Sequence, residues 1–367
     1  MRRDCARVTA GVKRVARIGT AGITRRRIGR LAAVALCTGL VALSGLVAGC
    51  DPADSTPRVR IPTGAGGVGF LPLLVMREHG LIEKHAAVSG LEDLNVEWLD
   101  LGGPSVMNDA LISGSVDFII AGPPAFITLW DRTRGTLDVR GVAALSSLPM
   151  YLNARAPHLD SIDALRDGDR IAMTAIKVSI PAIVMQMYAA DRYGPDEATR
   201  FDRFTVSMTH PDGVIAMLTE SSDIAAHFTS PPFHQREREN PAVRTILNSN
   251  EVTGGATTFT MLSTTAAWRE SNPEAYSAVL AALEEAIAMI GADRLAAADA
   301  LIAARGDAGL DREALAAVLA NPEIVFTTVP ANTLRYAEFM HTIGSIANRP
   351  ASWRELFFPE IHDRPGS

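Results

Sequence analysis

Cysteine and lysine are both scarce in this sequence, and their positions are uneven. The 367 residues contain three cysteines, Cys5, Cys37 and Cys50, all within the first fifty residues. The remainder of the chain therefore cannot build a disulfide of its own, a cysteine-ligated zinc site or a thiol nucleophile. Beyond residue 50 the lysines are Lys84 and Lys177.

Positive charge is likewise concentrated at the start of the chain. Residues 1–49 hold ten of the 35 Lys and Arg residues but one of the 41 acidic residues, so the rest carries 25 basic and 40 acidic side chains, a formal charge of −15. This balance argues against nucleic-acid binding, which draws its affinity from Lys and Arg on phosphates. A composition of 47% apolar and 21% charged residues is typical of one large or two ordinary globular domains.

The basic segment predicts a signal peptide over residues 1–49. A cluster of arginines at 25–30 precedes the apolar run Leu31–Ala48, which ends in Val47-Ala48-Gly49-Cys50. A basic region, an apolar region and a small-residue cleavage site form a secretory signal. The last four residues resemble the bacterial lipobox, which implies acylation of Cys50 and cleavage before it. The alternative is an N-terminal membrane anchor, since the run is just long enough to span a bilayer.

The export route stays open between ordinary secretion and the twin-arginine pathway. Residues 24–28, Thr-Arg-Arg-Arg-Ile, resemble a twin-arginine signal, although Gly29 stands where a second apolar residue is expected. Residues 50–57 are rich in Pro, Ser and Asp and predict a short tether. We therefore expect the mature chain in the cell envelope, held by a lipid on Cys50 at the outer face of the cytoplasmic membrane, which is the periplasmic side in a Gram-negative cell.

From residue 58 onward, strand and helix patterns alternate. The predicted strands are Arg58–Pro62, Asn95–Leu99, Val116–Ala121, Arg170–Thr174 and Phe204–Met208. The predicted helices cover about 71–85, 160–165, 183–193 and 212–218, and the one at 160–165 is short and capped. A further helix before the third strand has Val106, Ala110 and Leu111 on one face. This alternation predicts an α/β fold with a mainly parallel sheet.

One segment pattern occurs twice. Residues 110–118 predict a helix end, a turn and a strand that leads to Pro123-Pro124, and residues 216–224 predict the same before Pro231-Pro232. Asp117 aligns with Asp223. Because the spacing to the two proline pairs differs by two residues, the pattern indicates two similar domains rather than a true repeat.

The C-terminal part, after about Asn248, is predicted to be helical. Ser271 and Glu274 have the spacing of a capping box, and an apolar stripe follows from Tyr276 to Ile290. Residues 310–319 and 332–343 predict further helices. Core packing explains these stripes, and no catalytic helix is predicted here.

Ligands in open α/β sheets bind at the carboxyl ends of strands, where helix N-termini present free N–H groups. The segments that follow predicted strands are 66–70, 104–105, 122–124, 174–180 and 227–231. Lys177 is a candidate partner for an anion beside Ser179, or simply a solvated residue at a helix start. His227 is the most suggestive side chain because Thr and Ser follow it, although a lone histidine at a strand end is more often structural.

The sequence has no specific catalytic or cofactor motif. The glycine loop at 63–69 has no Lys-Ser/Thr, and its G-x-G-x-x-G match at residues 64–69 is a weak signal by itself, so nucleotide binding is disfavoured. The chain has no G-x-S-x-G elbow and no H-E-x-x-H. We therefore expect no catalytic residues, no cofactor and no metal site.

Three ordered segments carry a family resemblance. Residues 69–84, 108–117 and 159–172 resemble motifs of solute-binding proteins of nitrate, sulfonate and taurine type ABC importers, a family that also includes pyrimidine-precursor synthases for thiamine. The resemblance spans about 58–233. It implies a type II periplasmic binding fold, with lobe 1 at 58–147, lobe 2 at 148–247, a return to lobe 1 with extra C-terminal helices at 248–367, and a ligand cleft between the lobes.

The resemblance also implies a set of ligand contacts. Those carried over by position are Gly69, Phe70, Ser105, Pro123, Ser179, Thr229 and Ser230, to which the residue chemistry adds Lys177 and His227. Residues 227–233 depart from the commoner form of the family, which has an acidic or aromatic residue there, and this puts the identity of the ligand in doubt.

The function expected from this resemblance is that of a monomeric substrate-binding lipoprotein that delivers a small organic ligand to an ABC permease and its ATPase. Sulfonates, aromatic carboxylates and pyrimidine-like molecules are the ligand classes considered. Because a body of charge −15 repels anions at long range, a neutral or aromatic ligand is favoured. The alternatives are an exported enzyme related to the pyrimidine-precursor synthases, whose cysteine-rich motif is missing here, and a tethered ligand sensor.

Overall fold

The computed structural model describes residues 57–64, 66–101, 103–219, 222–304 and 306–367. The predicted signal peptide, Cys50 and most of the predicted tether lie outside the described residues. The first part of the described chain contains β1 (Arg58–Pro62), α1 (Leu71–Glu78), α2 (Leu81–Val88), β2 (Asn95–Leu99), α3 (Pro104–Ile112), β3 (Phe118–Ala121), α4 (Pro123–Thr133) and β4 (Arg140–Ser147).

The middle part contains β5 (Tyr151–Ala154), β6 (Arg170–Met173), α5 (Ile180–Tyr193), β7 (Thr205–Ser207), α6 (His210–Leu218), β8 (Ile224–Thr229), α7 (Phe233–Arg238) and β9 (Arg244–Asn248). The last part contains α8 (Ser249–Thr253), β10 (Thr258–Thr264), α9 (Ala266–Ser271), α10 (Pro273–Ala292), α11 (Arg294–Ala303), α12 (Arg312–Leu319), β11 (Val325–Phe326), α13 (Thr333–Thr342) and α14 (Trp353–Leu356).

The strands form two lobes with the same order. In lobe 2 the order is β7-β6-β8-β5-β9. In lobe 1, β2 pairs with β1, and β3, β10, β4 and β11 follow in that order, while a hydrogen bond from Asp117 N to Arg60 O (2.9 Å) places β1 beside β3. Over five strands each lobe therefore has its second strand at one edge, then its first, its third, an antiparallel strand and its fourth, and in lobe 1 β11 lies beyond the fourth. The repeated helix, turn and strand of the sequence is confirmed as α3–β3 and α6–β8.

The predicted α/β, two-lobed fold is confirmed, but the sheets are mixed rather than mainly parallel. β10 runs antiparallel to both β3 and β4, and β5 runs antiparallel to both β8 and β9. These two strands follow the passages from one lobe to the other, so they enter each sheet from the opposite end. Only helices were predicted after Asn248, so the strand β10 differs from the prediction.

Three local expectations also differ from the structure. The helix predicted over 71–85 is two helices, because Gly80 adopts a left-handed conformation (φ 56°) that ends the first. The face of α3 predicted to include Val106 is instead Met107 and Leu111, since Val106 is 51% exposed. Ser271 ends α9 rather than capping α10, whose N-cap Asn272 makes no side-chain capping bond to that helix.

The core of lobe 1 lies between its sheet and the C-terminal helices. α10 has 20 residues and is long and apolar enough to cross a bilayer, but it packs against α1 and α2 and buries Tyr276, Val279 and Leu283. Each such side chain contributes roughly 1.5–3 kcal/mol through burial. The helix is therefore a core element that fixes the sheet beneath it.

Candidate functional site

A small cavity lies where the two lobes meet, at the carboxyl ends of their parallel strands. Its volume is about 70 Å³. Residues from lobe 1, from lobe 2 and from the passage between them line it: Phe70, Gly122, Ala125, Met150, Thr174, Val178, Ser179, Ile180, Pro181, His210, Phe259 and Thr260. This is the position at which the sequence and the fold both predict a ligand.

The lobes are in contact around this cavity. The Val68 N–H donates to Pro231 O across the lobes at 3.3 Å. On the lobe 1 wall, the rings of Phe70 and Phe259 meet edge to face, with centroids 6.2 Å apart. A benzene molecule occupies an engineered cavity of roughly 150 Å³, about twice this volume. A ring-sized ligand therefore requires the lobes to separate or an aromatic wall residue to move.

Two of the predicted ligand residues, Phe70 and Ser179, line the cavity. Gly69 lies behind the wall, where its carbonyl accepts hydrogen bonds from Thr260 Oγ1 (2.8 Å) and Ser146 Oγ (2.9 Å). A Cβ atom at Gly69 would lie 2.2 Å from the ring of Phe259. Glycine is therefore required here because the backbone approaches the cavity wall closely.

Pro123, Ser105 and Lys177 were also predicted as ligand contacts, but they do not line the cavity. Pro123 is buried in the first turn of α4, next to the lining residue Gly122. Ser105 and Lys177 are exposed and do not line the cavity. Lys177 has a left-handed backbone conformation, with φ at 73°.

The predictions on β8 lie in the interior of lobe 2. His227, Thr229 and Ser230 are each 0–3% exposed and do not line the cavity. The histidine packs so closely on α6 that a Cβ atom at Gly213 would lie 2.4 Å from its ring. A ligand contact for any of these three residues stays a prediction.

His210 lines the cavity but was not among the predicted ligand residues. The predicted helix began at Asp212, but α6 begins at His210, after the N-cap Thr209, whose side chain accepts a hydrogen bond from Asp212 N (3.3 Å). The Thr-His-Pro-Asp sequence, with a Thr cap and an early proline, was the available signal. The helix start therefore carries a histidine to the cleft directly after β7.

A chain of buried polar groups leads from this histidine into lobe 2. His210 Nδ1 lies 3.2 Å from His227 Nε2, and His227 Nδ1 lies 2.5 Å from Glu237 Oε1. Asn153 donates from Nδ2 to the other carboxyl oxygen of Glu237 at 2.8 Å. His227, Glu237 and Asn153 are all 0% exposed. The cleft is therefore connected by hydrogen bonds to a carboxyl group deep in the lobe.

Burial sets the protonation of this chain. Burial raises the pKa of Glu237 to about 8 and lowers the pKa of His227 and that of His210 well below the usual value. An ionised carboxylate here has one neutral donor, Asn153, beyond the histidine, and among the described residues no Lys or Arg side chain bonds to it. Burial therefore favours a protonated carboxyl group and neutral rings.

Comparisons of the fold identify its class. The alkanesulfonate-binding protein SsuA of Xanthomonas axonopodis pv. citri, bound to MOPS, superimposes with a TM-score of 0.59 at 15% identity, over 80% of this chain and 94% of that one. The periplasmic nitrate-binding protein NrtA of Synechocystis PCC 6803 gives 0.60 at 15% identity, over 81% and 83%. A Candida albicans protein described as having the generic periplasmic binding protein fold gives 0.56 at 15% identity, over 80% and 92%.

This chain has the periplasmic binding protein fold. No protein-family profile and no curated protein sequence matches it. Its structural neighbours thus include sulfonate-binding and nitrate-binding proteins, the classes whose motifs the sequence resembles. In this fold the strands of both lobes end at a shared cleft, and the cavity described above lies in that cleft. Within the described ranges no group of three or more His, Cys, Asp or Glu side chains is placed to hold a metal ion.

Proposed function

We propose that this protein is the substrate-binding lipoprotein of an ABC importer. It captures a small organic ligand between its lobes and delivers it to a membrane permease that works with an ATPase. A lipid on Cys50 holds it at the outer face of the cytoplasmic membrane, and it acts as a monomer without enzymatic activity.

The observation that carries this proposal is the cavity itself. It is lined by both lobes, at the carboxyl ends of strands that follow the same order in each lobe. A ligand that contacts both walls binds the closed form better than an open one and so shifts the population toward closure. A permease can then distinguish loaded from empty protein by the relative position of the lobes.

The residues around the cavity favour binding over catalysis. The Ser179 hydroxyl donates to Ala175 O at 2.5 Å and accepts from Ala182 N at 3.3 Å, so it serves as the N-cap of α5. A nucleophile needs a base within hydrogen-bond reach, and the described partners of Ser179 include no base. Phe70, Ser179 and His210 are the proposed ligand contacts.

A thermal-shift screen on the full chain in detergent tests ligand capture. The panel contains sulfonates, nitrate, aromatic carboxylates, pyrimidines and their uncharged analogues. We expect at least one class to raise the midpoint of unfolding in a saturable way, because a ligand that binds the folded state stabilises it by mass action. Native mass spectrometry of the freshly purified protein would then identify any co-purified ligand.

Two variants make the screen specific for the cavity. Phe70→Ala removes a wall of the cavity and should abolish the shift. Val88→Ala, on a side chain that is 84% exposed in α2, should retain it. Turnover of a panel compound without a saturable shift would contradict the binding function and favour an enzyme. Loss of palmitate labelling in Cys50→Ala, measured in cells, tests the lipid anchor separately.

A further inference from the structure

The side chains that line the interlobe cavity carry no permanent charge. Eight of the lining residues are apolar or glycine, and the polar ones are Thr174, Ser179, His210 and Thr260. An anion moved into such a site loses its hydration without gaining a cation, which is strongly unfavourable. The cavity therefore disfavours sulfonates, nitrate and carboxylates.

The helix N-termini at the cleft have lost much of their capacity to bind anions. A helix start binds an anion through its free backbone N–H groups, and proline has none. α4 begins with Pro123 and Pro124, α5 has Pro181 as its second residue, and α6 has Pro211 as its second residue. Each of these three helices thus lacks at least one first-turn donor.

Side-chain caps use a further donor in two of these helices. The Ala182 N–H of α5 donates to Ser179 Oγ at 3.3 Å, and the Asp212 N–H of α6 donates to Thr209 Oγ1 at 3.3 Å. An anionic ligand would have to displace these capping side chains to reach the N–H groups. An uncharged ligand can bind without displacing them.

Two of the four polar side chains are already committed. Ser179 Oγ donates to Ala175 O at 2.5 Å, and Thr260 Oγ1 donates to Gly69 O at 2.8 Å. Ser179 and Thr260 can therefore touch a ligand only by packing, which leaves Thr174 and His210 to form hydrogen bonds with it. His210 Nδ1 is turned inward, toward His227 Nε2 (3.2 Å) and Thr229 Oγ1 (3.3 Å), so Nε2 is the polar atom that the ring offers to the cleft.

We infer that the cleft takes an uncharged small molecule with an apolar ring and a hydrogen-bond acceptor, that His210 Nε2–H binds the acceptor, and that Glu237 controls this donor through His227. The inference rests on the proposed function, because it names the ligand class of the same cleft. The apolar walls favour a ring in the ligand, because it can pack against the rings of Phe70 and Phe259 and against the side chain of Met150.

The protons can be placed along the chain from its buried end. A protonated Glu237 donates from Oε1 to His227 Nδ1, and its Oε2 accepts from Asn153. His227 then carries its proton on Nε2 and donates it to His210 Nδ1, so His210 carries its proton on Nε2, toward the cleft.

Loss of one proton reverses the two bonds that His227 makes, to Glu237 and to His210, while Asn153 still donates to the carboxylate. The proton leaves to solvent from His210 Nε2, the His227 Nε2 proton moves to His210 Nδ1, and the Glu237 proton moves to His227 Nδ1. The carboxylate then holds the negative charge, and His210 Nε2 presents a lone pair to the cleft. A ligand acceptor that was bound is now repelled.

His227 of β8 and Asn153 of β5 contact Glu237 directly. Around them lie His210 of α6, bonded to His227, Thr245 of β9, bonded to Asn153, and His234 of α7, also beside Asn153. Arg238, the neighbour of Glu237 in α7, donates to Val243 O instead. Burial, with a smaller contribution from Arg238, lowers the pKa of His234 to about 4. Since the histidines stay neutral, Glu237 is the group whose charge changes near pH 8.

Isosteric probes test the ligand class. Acetophenone, benzamide and benzoate share one heavy-atom skeleton but differ in charge, and benzenesulfonate adds the sulfonate group. Calorimetry with the full chain in detergent should show binding of acetophenone and benzamide, and at least tenfold weaker binding of benzoate and benzenesulfonate. Tighter binding of either anion would overturn the ligand class while leaving ligand capture intact. If no probe binds, the inferred ligand class is also wrong. The proposed function as a binding protein is then contradicted only if no compound in the wider thermal-shift screen gives a saturable shift.

The pH dependence of acetophenone binding tests the role of Glu237, because this probe does not titrate. In the wild type the affinity should fall about tenfold from pH 7 to pH 9, as the donor form of His210 becomes the minor one. Glu237→Gln, whose amide can donate to His227 at every pH, should bind equally at both. Glu239→Gln changes an exposed carboxylate on the same segment, paired with Arg236, and should keep the wild-type dependence.

Two outcomes would overturn the inference that Glu237 controls the His210 donor. One is a wild-type affinity that does not change with pH. The other is a Glu237→Gln variant that retains the wild-type dependence. Should that variant not fold, His210→Gln gives the same test, because its amide keeps a donor near the Nε2 position without a titrating link to Glu237.

Discussion

A Cβ atom at Gly122 would lie 2.9 Å from the Cδ1 atom of Ile180 and 3.2 Å from the carbonyl oxygen of Phe259. Gly122 belongs to lobe 1 and Ile180 to lobe 2, and both line the cavity. The closed arrangement of the lobes therefore depends on the absence of a side chain at one position.

Gly122→Ala should shift the protein toward separated lobes. The added methyl group displaces the Ile180 side chain and presses on a backbone carbonyl that cannot rotate away. We expect a larger radius of gyration by small-angle X-ray scattering, and several-fold weaker binding of any ligand that bridges the lobes.

Gly103→Ala is the matched control for this variant. Gly103 is the N-cap of α3 as Gly122 is that of α4, with similar φ angles of −67° and −73°, and its Cβ would meet no atom within 4 Å. Equal scattering changes in both variants would show that the effect comes from the helix cap rather than from the lobe contact.

Gly69→Ala should destabilise lobe 1. The new Cβ would lie 2.2 Å from the ring of Phe259, and overpacking of this kind costs about 1–3 kcal/mol. Gly291→Ala, within α10 and with open space around its Cβ, should instead be neutral or stabilise by up to about 1 kcal/mol. Urea unfolding curves measure both. Similar midpoints for the two variants would be evidence against a close approach at Gly69.

Asp117→Ala should cost about 2–3 kcal/mol. Asp117 is 7% exposed and accepts hydrogen bonds from the backbone N and from Nη2 of Arg60, both at 2.7 Å, so it joins β1 to the start of β3. Asp223 occupies the same place before β8 but is exposed. Asp223→Ala should therefore change the free energy of unfolding by no more than about 0.5 kcal/mol. An equal decrease in the free energy of unfolding in both variants would mean that the hydrogen bonds with Arg60 are not the source of the stabilisation.

Glu237→Gln should change how stability depends on pH. Burial raises the pKa of Glu237 to about 8 in the folded state, above its unfolded value of about 4.3. The folded protein thus keeps a proton that the unfolded chain releases. The contribution of Glu237 to stability is present in full below the unfolded pKa and is lost as pH rises toward 8, by at most about 1.4 kcal/mol per pH unit.

The variant lacks this loss, so its stability relative to the wild type should increase from pH 5 to pH 8. Burial lowers the pKa values of His210, His227 and His234, and the resulting destabilisation below pH 6.5 affects both proteins alike. Urea unfolding at a series of pH values gives the difference directly. A constant difference across this range would mean that Glu237 is ionised in the folded protein.

The alternation of strands and helices was sufficient to predict the α/β fold, because apolar runs such as Phe118–Ala121 are bounded by turn residues. It was not sufficient for β10. That strand contains Thr258, Thr260 and Thr264, which look exposed in the sequence yet are all buried. Thr264 Oγ1, for example, donates to Asp117 O at 2.6 Å, a partner that is distant in the chain.

The candidate site was predicted in position but only partly in its residues. The strand-end rule found Phe70 and Ser179, since it depends on local order along the chain. The strand-end rule singled out His227 but not its hydrogen-bond partners His210 and Glu237, because these contacts depend on how α6 and α7 pack on β8. The sequence alone also could not show that Ser105 and Lys177 are exposed, since this depends on where their loops turn.

The insertion of β10 between β3 and β4 determines the order in which the protein can fold during synthesis. The five strands of lobe 2 are complete once Asn248 has been made. Lobe 1 must wait for Thr264, although its first strand is made some two hundred residues earlier. Until then β3 and β4 have open edges, which are aggregation-prone. The usual N-terminal-first order of domain folding is thus reversed for these two sheets, and the exposed strand edges of the incomplete chain belong to lobe 1 rather than to lobe 2.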